Sequence, residues 1–393
     1  MAMTKEYKVS IPRKNELDEL IDVLCQSFYV PPAKRNLEAG YFRSFERKDQ
    51  RVIRHGSKIA GGLAMHMWGH FFGGKSVPAA GVAAVGILPE FRRHGAANTL
   101  MCETVRELYK MGIPLSTLMP ANHTLYRKSG YECAMERFVI KLPLKSIHIR
   151  ELSLDIVPHK GDVTKAFKDT QREFARHFNG NVDRSDNWWK NIFDPFGQDL
   201  RKYLIKSGNR VEGYALLRIN GPQHMIWIKD YAVVTPAAGR RLLTFLADHS
   251  SILKEVKWVG SVNDPLNILL PDQPYEMKLA HECMLRIVSV KSALERRGWY
   301  PGIEGELHME VADDVVPQNN GRFTLKVKNG KGKVKKGGDG TLKLDIRALA
   351  QLYSCFLSPW ELALAGHLEG SEKEMEIATA LFSGPRPWLP DDF

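Results

Sequence analysis

Apolar positions along the first third change period several times. Leu17, Leu20, Ile21 and Leu24 recur at helical spacing, so a helix is expected from Asn15, placed to cap it, to about Phe28. A second helix is expected over Ala33–Arg47. The pattern then turns to strands: Arg51–His55 and Ile59–Phe72 around a Gly56–Ser57 turn, a Gly73–Gly74 hairpin, and a longer run over Ser76–Leu88. Ala97, Leu100, Met101, Val105 and Leu108 return to helical spacing up to about Met111; Gly112 ends that helix and Pro114 stops it. A short strand over Leu115–Met119, a short helix from Asn122 through Tyr126 to Ser129, and a strand over Tyr131–Leu142 come next.

After about Lys145 the same order returns more weakly. Lys202–Lys206, Gly213–Ile219 and Ile226–Val234 read as strands, and Leu242–His249 as a helix. The stretch Thr235-Pro236 to Gly239 matches Leu88-Pro89 to Gly95 with a shorter loop between proline and glycine, so the middle third reads as a decayed internal repeat. In the last third Glu304–Val311 and Arg322–Val327 read as strands, Asp345 is placed to cap a helix over Ile346–Leu357, and a further helix follows Ser358-Pro359-Trp360. Pro385, Pro387 and Pro390 make the tail extended.

Composition narrows the class. The chain has 393 residues, 44% hydrophobic and 26% charged, which suits two or three globular domains. No apolar run approaches a membrane span, and charges throughout the first thirty residues leave no signal-peptide core, so a cytoplasmic protein with no membrane partner is expected. Five scattered cysteines without CxxC or CxxH spacing support neither a zinc site nor a disulfide framework. The net charge of +11 is concentrated: +10 over residues 1–150, +1 over 151–285 and zero over 286–393. The first third therefore expects an anionic partner, which a polyphosphate cofactor satisfies as well as nucleic acid does. The lysines from Lys326 to Lys343 alternate along hairpin strands without interleaved aromatics, as a solvated strand face does, so nucleic acid is not expected. His66 and His70 lie in a strand with no acidic neighbour, so no metal is expected.

Chemistry gathers first at Arg92-Arg93-His94-Gly95-Ala96-Ala97, between a strand and a helix. Such a loop presents backbone N–H groups at a helix N-terminus, where the dipole favours an anion, small residues let a pyrophosphate approach, and arginines add donors. A basic turn with a solvated face has the same pattern. The strand before it, through Val85-Gly86-Ile87, would offer free backbone groups to an amide-bearing arm such as pantetheine if it splays from its neighbour.

Val85-x-Ile87-x-Pro89-x-x-Arg92-x-x-Gly95-x-Ala97, then Asn122, Tyr126, Gly130 and Tyr131, resembles the GNAT superfamily of acetyl-CoA-dependent N-acetyltransferases over about residues 1–145. The resemblance implies that Val85 and Ile87, flanking Gly86, pair with pantetheine. It implies that Arg92, Arg93, His94, Gly95, Ala96 and Ala97 surround the pyrophosphate and that Asn122 orients the cofactor. Tyr126 fits a proton donor to a departing thiolate, since a phenol near pKa 10 is roughly matched to that task; packing against a strand is its other reading. The tail carries Trp388, Leu389 and a terminal Phe393 beside Asp391 and Asp392. Aromatic anchors argue that it docks, that its α-carboxylate can take a proton from an ammonium nucleophile, and that the aspartates attract a cationic acceptor.

The whole layout is similar to the Eis (enhanced intracellular survival) family. The resemblance implies an α/β, mixed-sheet chain of three domains: an active GNAT domain over 1–145, a degenerate one over 146–285, and an α+β domain like sterol carrier protein over 286–393, whose tail returns to the active site. It implies a homohexamer that acetylates several amines of an aminoglycoside-like polycation, with Tyr126 as general acid and the Phe393 carboxylate as general base. A protein lysine, a polyamine or a small-metabolite amine is the alternative acceptor. A lipid-binding or assembly role for the last domain is the alternative of another class. Asp22, Phe28, Trp188 and Trp189 are candidate acceptor-pocket residues; for the tryptophan pair, core packing is the other reading.

Overall fold

The alternating runs of the first third pair as expected. In the computed structural model, which describes residues 7–195 and 199–393, β1 (Tyr7–Ser10), β2 (Gln50–His55), β3 (Lys58–Phe72) and β4 (Lys75–Ile87) are antiparallel neighbours in chain order. β5 (Leu115–Leu118) lies parallel to β4. A parallel partner requires a crossover, which α3 (Ala96–Lys110) supplies. α1 (Leu17–Ser27) and α2 (Arg35–Arg43) join β1 to β2, and α4 (His123–Arg127) comes after β5. Asn15 does not cap α1; the backbone N–H of Arg13 donates to Glu16 Oε2 at 2.6 Å, and α1 begins after a short 3-10 turn. α2 ends short of Arg47 because the buried amide of Gln50 takes the carbonyls of Phe42 and Phe45. Leu20, Ile21 and Leu24 of α1 are buried against the sheet. The approach is so close that a Cβ on Gly86 would lie 2.8 Å from Leu24 Cδ2, so this strand glycine makes room for a helix.

Two compact units divide the chain: residues up to 134 with 283–385 and Phe393, and residues 135–282 with 386–392. In the first, Met284–Ile287 pair antiparallel with β5. Its last third forms a separate five-stranded sheet, ordered Lys331–Lys336, Gly321–Lys328, Gly305–Ala312, Leu342–Asp345 and Leu368–Glu369. Asp345 caps the helix Ile346–Ser354 through Arg347 and Ala348, as expected. A fully buried Arg286–Asp313 pair at 2.7 Å, with Asp313 also accepting from the N–H groups of Val315 and Val316, joins this part to the Gly130 turn, where a Cβ would strike Arg286. The alternating lysines sit on the exposed face of Gly321–Lys328 and Lys331–Lys336, and Lys326 and Lys328 pair with Glu306 and Glu304.

The second unit repeats the theme. Met225–Val233 lies between Arg210–Asn220, antiparallel, and Glu255–Gly260, parallel, with the helix Pro236–Ala247 as crossover. That helix starts earlier than its apolar periodicity suggests, because Thr235 accepts from Ala238 N and Pro236 fits the first turn. The helices Lys165–Ala175 and Asp186–Phe193 had no clear signal in the sequence. No helix among the described residues is long and apolar enough to cross a membrane.

Candidate active site

β4 and β5 pair only from Ala79↔Leu115 to Gly81↔Thr117. Beyond Gly81 no strand among the described residues covers that edge of β4. The strand also bulges there. Gly62 faces Gly86 and Ala64 faces Ala83, so Ala84 and Val85 together oppose Leu63, and Ala84 takes φ +55°. This is the splay that the sequence left as a condition: Val85 and Ile87 lie on a strand whose outer edge has parted from its neighbour.

The strand runs into a tight turn. Arg93 (φ +60°) and Gly95 (φ +84°) are left-handed, and Gly95 caps α3 with no side chain to satisfy its first N–H groups. Arg93, His94 and Gly95 are exposed, Ala96 is buried and Ala97 half-buried, so the helix end faces outward with small residues at its mouth. Arg92 is used differently from the expectation. Its guanidinium donates to Ile87 O (3.0 Å), Ser27 O (2.9 Å) and the Tyr29 hydroxyl (3.0 Å), and it stacks over the Tyr29 ring. It ties the turn to the end of α1, and the outward donors of the loop are Arg93, His94 and the backbone.

Three groups converge where β4 and β5 part. Ser116 Oγ donates to Ala80 O (2.9 Å), so the Tyr131 hydroxyl, 2.7 Å away, must donate to Ser116. Tyr126 lies beside Tyr131, ring centres 6.4 Å apart, and is buried. Burial pushes its phenol up to about 12, so it stays protonated and able to donate across the neutral range. On the other side, the Phe393 ring meets the Trp68 ring edge-on at 4.7 Å and lies 6.0 Å from His66. A Cβ on Gly81 would lie 2.3 Å from Trp68 and 3.0 Å from Phe393. The C-terminal residue thus rests over the strand at the fork. His66 stacks on Trp68 at 4.9 Å and pairs with the Tyr41 hydroxyl at 3.0 Å; burial holds its pKa at about 3, so the imidazole is neutral. His70 pairs with Thr117 Oγ1 at 3.0 Å.

The remaining candidates separate. Asn122 is an N-cap, its Oδ1 accepting from Leu125 N at 3.3 Å. Asp22 is bound to Arg35, and Phe28 is exposed. Trp189 belongs to the core of the second unit, and Trp188 Nε1 donates to Asp391. Asp391 corrects the expectation of an acceptor-binding carboxylate: its side chain is 0% exposed and is bonded to Arg184, where a cationic acceptor has no access. Asp392 remains 78% exposed and pairs with Arg137 at 2.9 Å. Sequence reasoning missed Tyr41, Phe45 and Trp68, although His66, Trp68 and His70 alternate on one face of β3 opposite Gly81, Ala79 and Val77. It also missed Arg184, for which no local pattern speaks.

Comparison with known proteins fits this geometry. The family described as an acetyltransferase (GNAT) domain matches residues 8–134, a second GNAT domain family matches 180–287, and a sterol carrier protein domain matches 290–390. A crystal structure of a GCN5-related N-acetyltransferase from Anabaena variabilis is 36% identical, covers 99% of this chain and 100% of its own, and superposes with a TM-score of 0.95. The N-acetyltransferase Eis of Mycobacterium tuberculosis is 23% identical over 320 residues, 76% of each chain. Eis1 of Mycobacterium abscessus, 21% identical over 99% of this chain and 100% of that one, shares the fold at a TM-score of 0.81. The chain belongs to the GCN5-related N-acetyltransferases, in the Eis-like arrangement of two acetyltransferase domains ahead of a sterol-carrier-protein-like one.

Proposed function

We propose that the first unit acetylates primary amines of a polycationic, aminoglycoside-like acceptor at more than one position, with the Phe393 α-carboxylate taking a proton from the amine and Tyr126 donating one to the departing thiolate. The observation that carries this reading is the Phe393 ring lying over Gly81, where β4 and β5 part. The GNAT fold implies acetyl-CoA as co-substrate, which supplies an activated acetyl thioester when bound. The open edge at Val85 and Ile87 would hold its pantetheine arm. Arg93, His94 and the N–H groups of Gly95, Ala96 and Ala97 would hold its pyrophosphate, with Arg92 keeping that turn in place and Asn122 setting the end of α4.

Burial keeps His66 neutral, with its pKa at about 3, so on this reading the negative charge that would draw an ammonium and take its proton at this end of the cluster is that of the terminal carboxylate. The half-buried Phe393 ring would attract an ammonium by cation–π interaction. Asp392 is proposed as an acceptor-binding carboxylate by its charge and exposure. We place the enzyme in the cytoplasm as a homohexamer, a state that light scattering tests. The lipid-carrier reading requires an apolar tunnel in the last domain. One hollow there, of about 690 Å³, is lined by charged Glu310, Lys343, Asp345, Arg347 and Glu369 as well as by Val311, Leu344 and Leu368, a mixed lining that favours a scaffold role over an apolar tunnel.

CoA release from acetyl-CoA, followed against kanamycin, spermine and a lysine peptide, tests the acceptor. More than one acetyl per kanamycin is the expected result; turnover confined to spermine or peptide overturns the aminoglycoside assignment. Extending the chain by one glycine past Phe393 keeps the ring and moves the carboxylate. Turnover is expected to fall on the order of 10²-fold, and unchanged turnover removes the terminal carboxylate from the mechanism.

A further inference from the structure

The second unit contains a fork like that of the first, and this one is filled. Met225–Val233 and Glu255–Gly260 pair only as far as Ile228↔Trp258. Immediately beyond, Leu216 faces Asp230 and Leu217 faces Ile228, so Lys229 is an extra residue in a bulge. The opening is lined by Ile228, Asp230 and Val259 from the strands and by Trp388 and Pro390 from the tail. The tail thus lies where the first unit keeps its strand edge clear.

Charged groups fix it there. Arg184 grips Asp230 with two bonds, 2.7 and 2.8 Å, and the Tyr214 hydroxyl donates to Asp230 at 2.6 Å. Arg184 Nε donates to Asp391 Oδ1 at 2.8 Å, and Trp188 Nε1 donates to the same oxygen at 2.7 Å. Asp391 Oδ2 is buried with no hydrogen-bond partner among the described residues. Backbone contacts flank the cluster: Trp388 N donates to Asn179 O (3.0 Å), and Asn181 Nδ2 to Trp388 O (3.0 Å).

Stability alone does not account for this arrangement. One buried arginine shared by two buried carboxylates is costly to desolvate, burial and the nearby Asp230 push the Asp391 carboxyl up, and well-packed apolar side chains commonly hold a segment as firmly or more so. What an ion cluster adds is register. A slip of one residue would take Asp391 off Arg184 and move the chain end by ~3.3 Å. Only Asp392 separates Asp391 from Phe393, so the backbone passes the position of one to the other.

We infer that the fork of the second acetyltransferase fold is the docking socket of the C-terminal tail, and that Arg184, through Asp391, is a positioning residue for the Phe393 carboxylate. The inference rests on the terminal carboxylate being the base. Asp391→Asn keeps the shape and the Trp188 bond and removes the charge. Carboxypeptidase Y is expected to release Phe393 from the folded variant about 10-fold faster than from the wild-type chain. The variant's kcat, read with whichever of kanamycin, spermine and lysine peptide turns over fastest, is expected to fall about 10- to 100-fold. Its KM for acetyl-CoA stays within about twofold, because the cofactor turn is untouched.

In the glycine-extended chain, adding Asp391→Asn is expected to cost nothing further. Wild-type protection and kcat in folded Asp391→Asn, or an additive loss in the combined variant, overturns the socket while leaving the base in place. Unchanged turnover in the glycine extension alone overturns the base and the positioning role with it. Should Asp391→Asn fail to fold, Arg184→Lys, which keeps the charge and loses the paired grip, gives the same readouts at smaller size.

Discussion

Both acetyltransferase folds carry a strand that bulges where its parallel neighbour leaves it, at Ala84 in one and Lys229 in the other. The two chains diverge after the bulge. In the first fold, a turn with two left-handed residues delivers the backbone to α3 with the helix end uncapped and facing outward. In the second, Thr235 caps the helix with its own side chain and Pro236 occupies the first turn, so the donors an anion would use are spent or missing. The first fork has the Phe393 ring over it and a buried Tyr126–Tyr131 pair beside it; the second is lined by the tail, with an arginine and two aspartates next to it. One topology serves as a reaction site or as a socket, and a handful of side chains decides which.

Removing the phenol of Tyr126 should have the largest effect. Tyr126→Phe is expected to lower kcat on the order of 10²-fold and leave the KM for acetyl-CoA unchanged. Because burial holds this phenol near 12, kcat should show no alkaline decline from it until close to that pH. A rate within about twofold of wild type in steady-state assays would place the proton donor elsewhere.

Next comes the mouth of the open fork. Gly81→Ala puts a methyl group where Trp68 and Phe393 already lie within 2.3 and 3.0 Å. The aromatic pair must shift, and with it the terminus. A fall of about 10-fold in kcat is expected, with acetyl-CoA binding by calorimetry nearly unchanged.

Two glycines, Gly95 and Gly239, separate the halves more gently. Gly95 has φ +84° and open space around it, so Gly95→Ala meets no neighbour and only strains the turn, by about 1 kcal/mol. Its expected effect is a several-fold rise in the KM for acetyl-CoA. Gly239 lies inside a helix, and a methyl there would come within 2.4 Å of Leu269 Cδ1. Gly239→Ala should lower the melting midpoint and leave that KM alone. The same shift in KM for both variants would end the distinction between the two helix starts.

How much of this could be read from the chain depends on the range of the signals. The strands of the first third and the turn from Pro89 to Gly95 are local patterns, and local patterns survive in sequence. The splay at Ala84 is a register effect and leaves only a run of small residues behind. The ring cluster of His66, Trp68 and Phe393 needs β3 laid beside β4 and the tail brought in from more than 300 positions away. Asp391 was misassigned for a related reason. An aspartate near a chain end looks exposed, and nothing around Arg184 announces the buried partner that takes its charge. The helices at Lys165–Ala175 and Asp186–Phe193 are amphipathic but short, and proline or aromatic neighbours obscure their period.

The smallest effect lies beneath the filled fork and bears on whether it keeps any chemistry. Asp264 caps the short helix Pro265–Ile268 and accepts from the Tyr231 hydroxyl at 2.9 and 2.8 Å. Burial raises its carboxyl to about 6 from an ordinary value of 3.8. The folded chain therefore holds that proton more tightly than the unfolded one does. The resulting stabilisation is complete below about pH 4 and is lost as pH rises through 6. Asp264→Asn retains an acceptor for both partners and cannot titrate. Compared with it, the wild-type chain should melt a few degrees higher at pH 4 than at pH 7, and turnover at a fixed pH should be the same for both. In the open fork the matching pair, Tyr131 and Ser116, has no group that titrates in this window, since burial moves the phenol further up. A pH limb present in melting and absent from kcat would mark the second fork as a socket alone; the same limb in kcat would mean that it still takes part in the reaction.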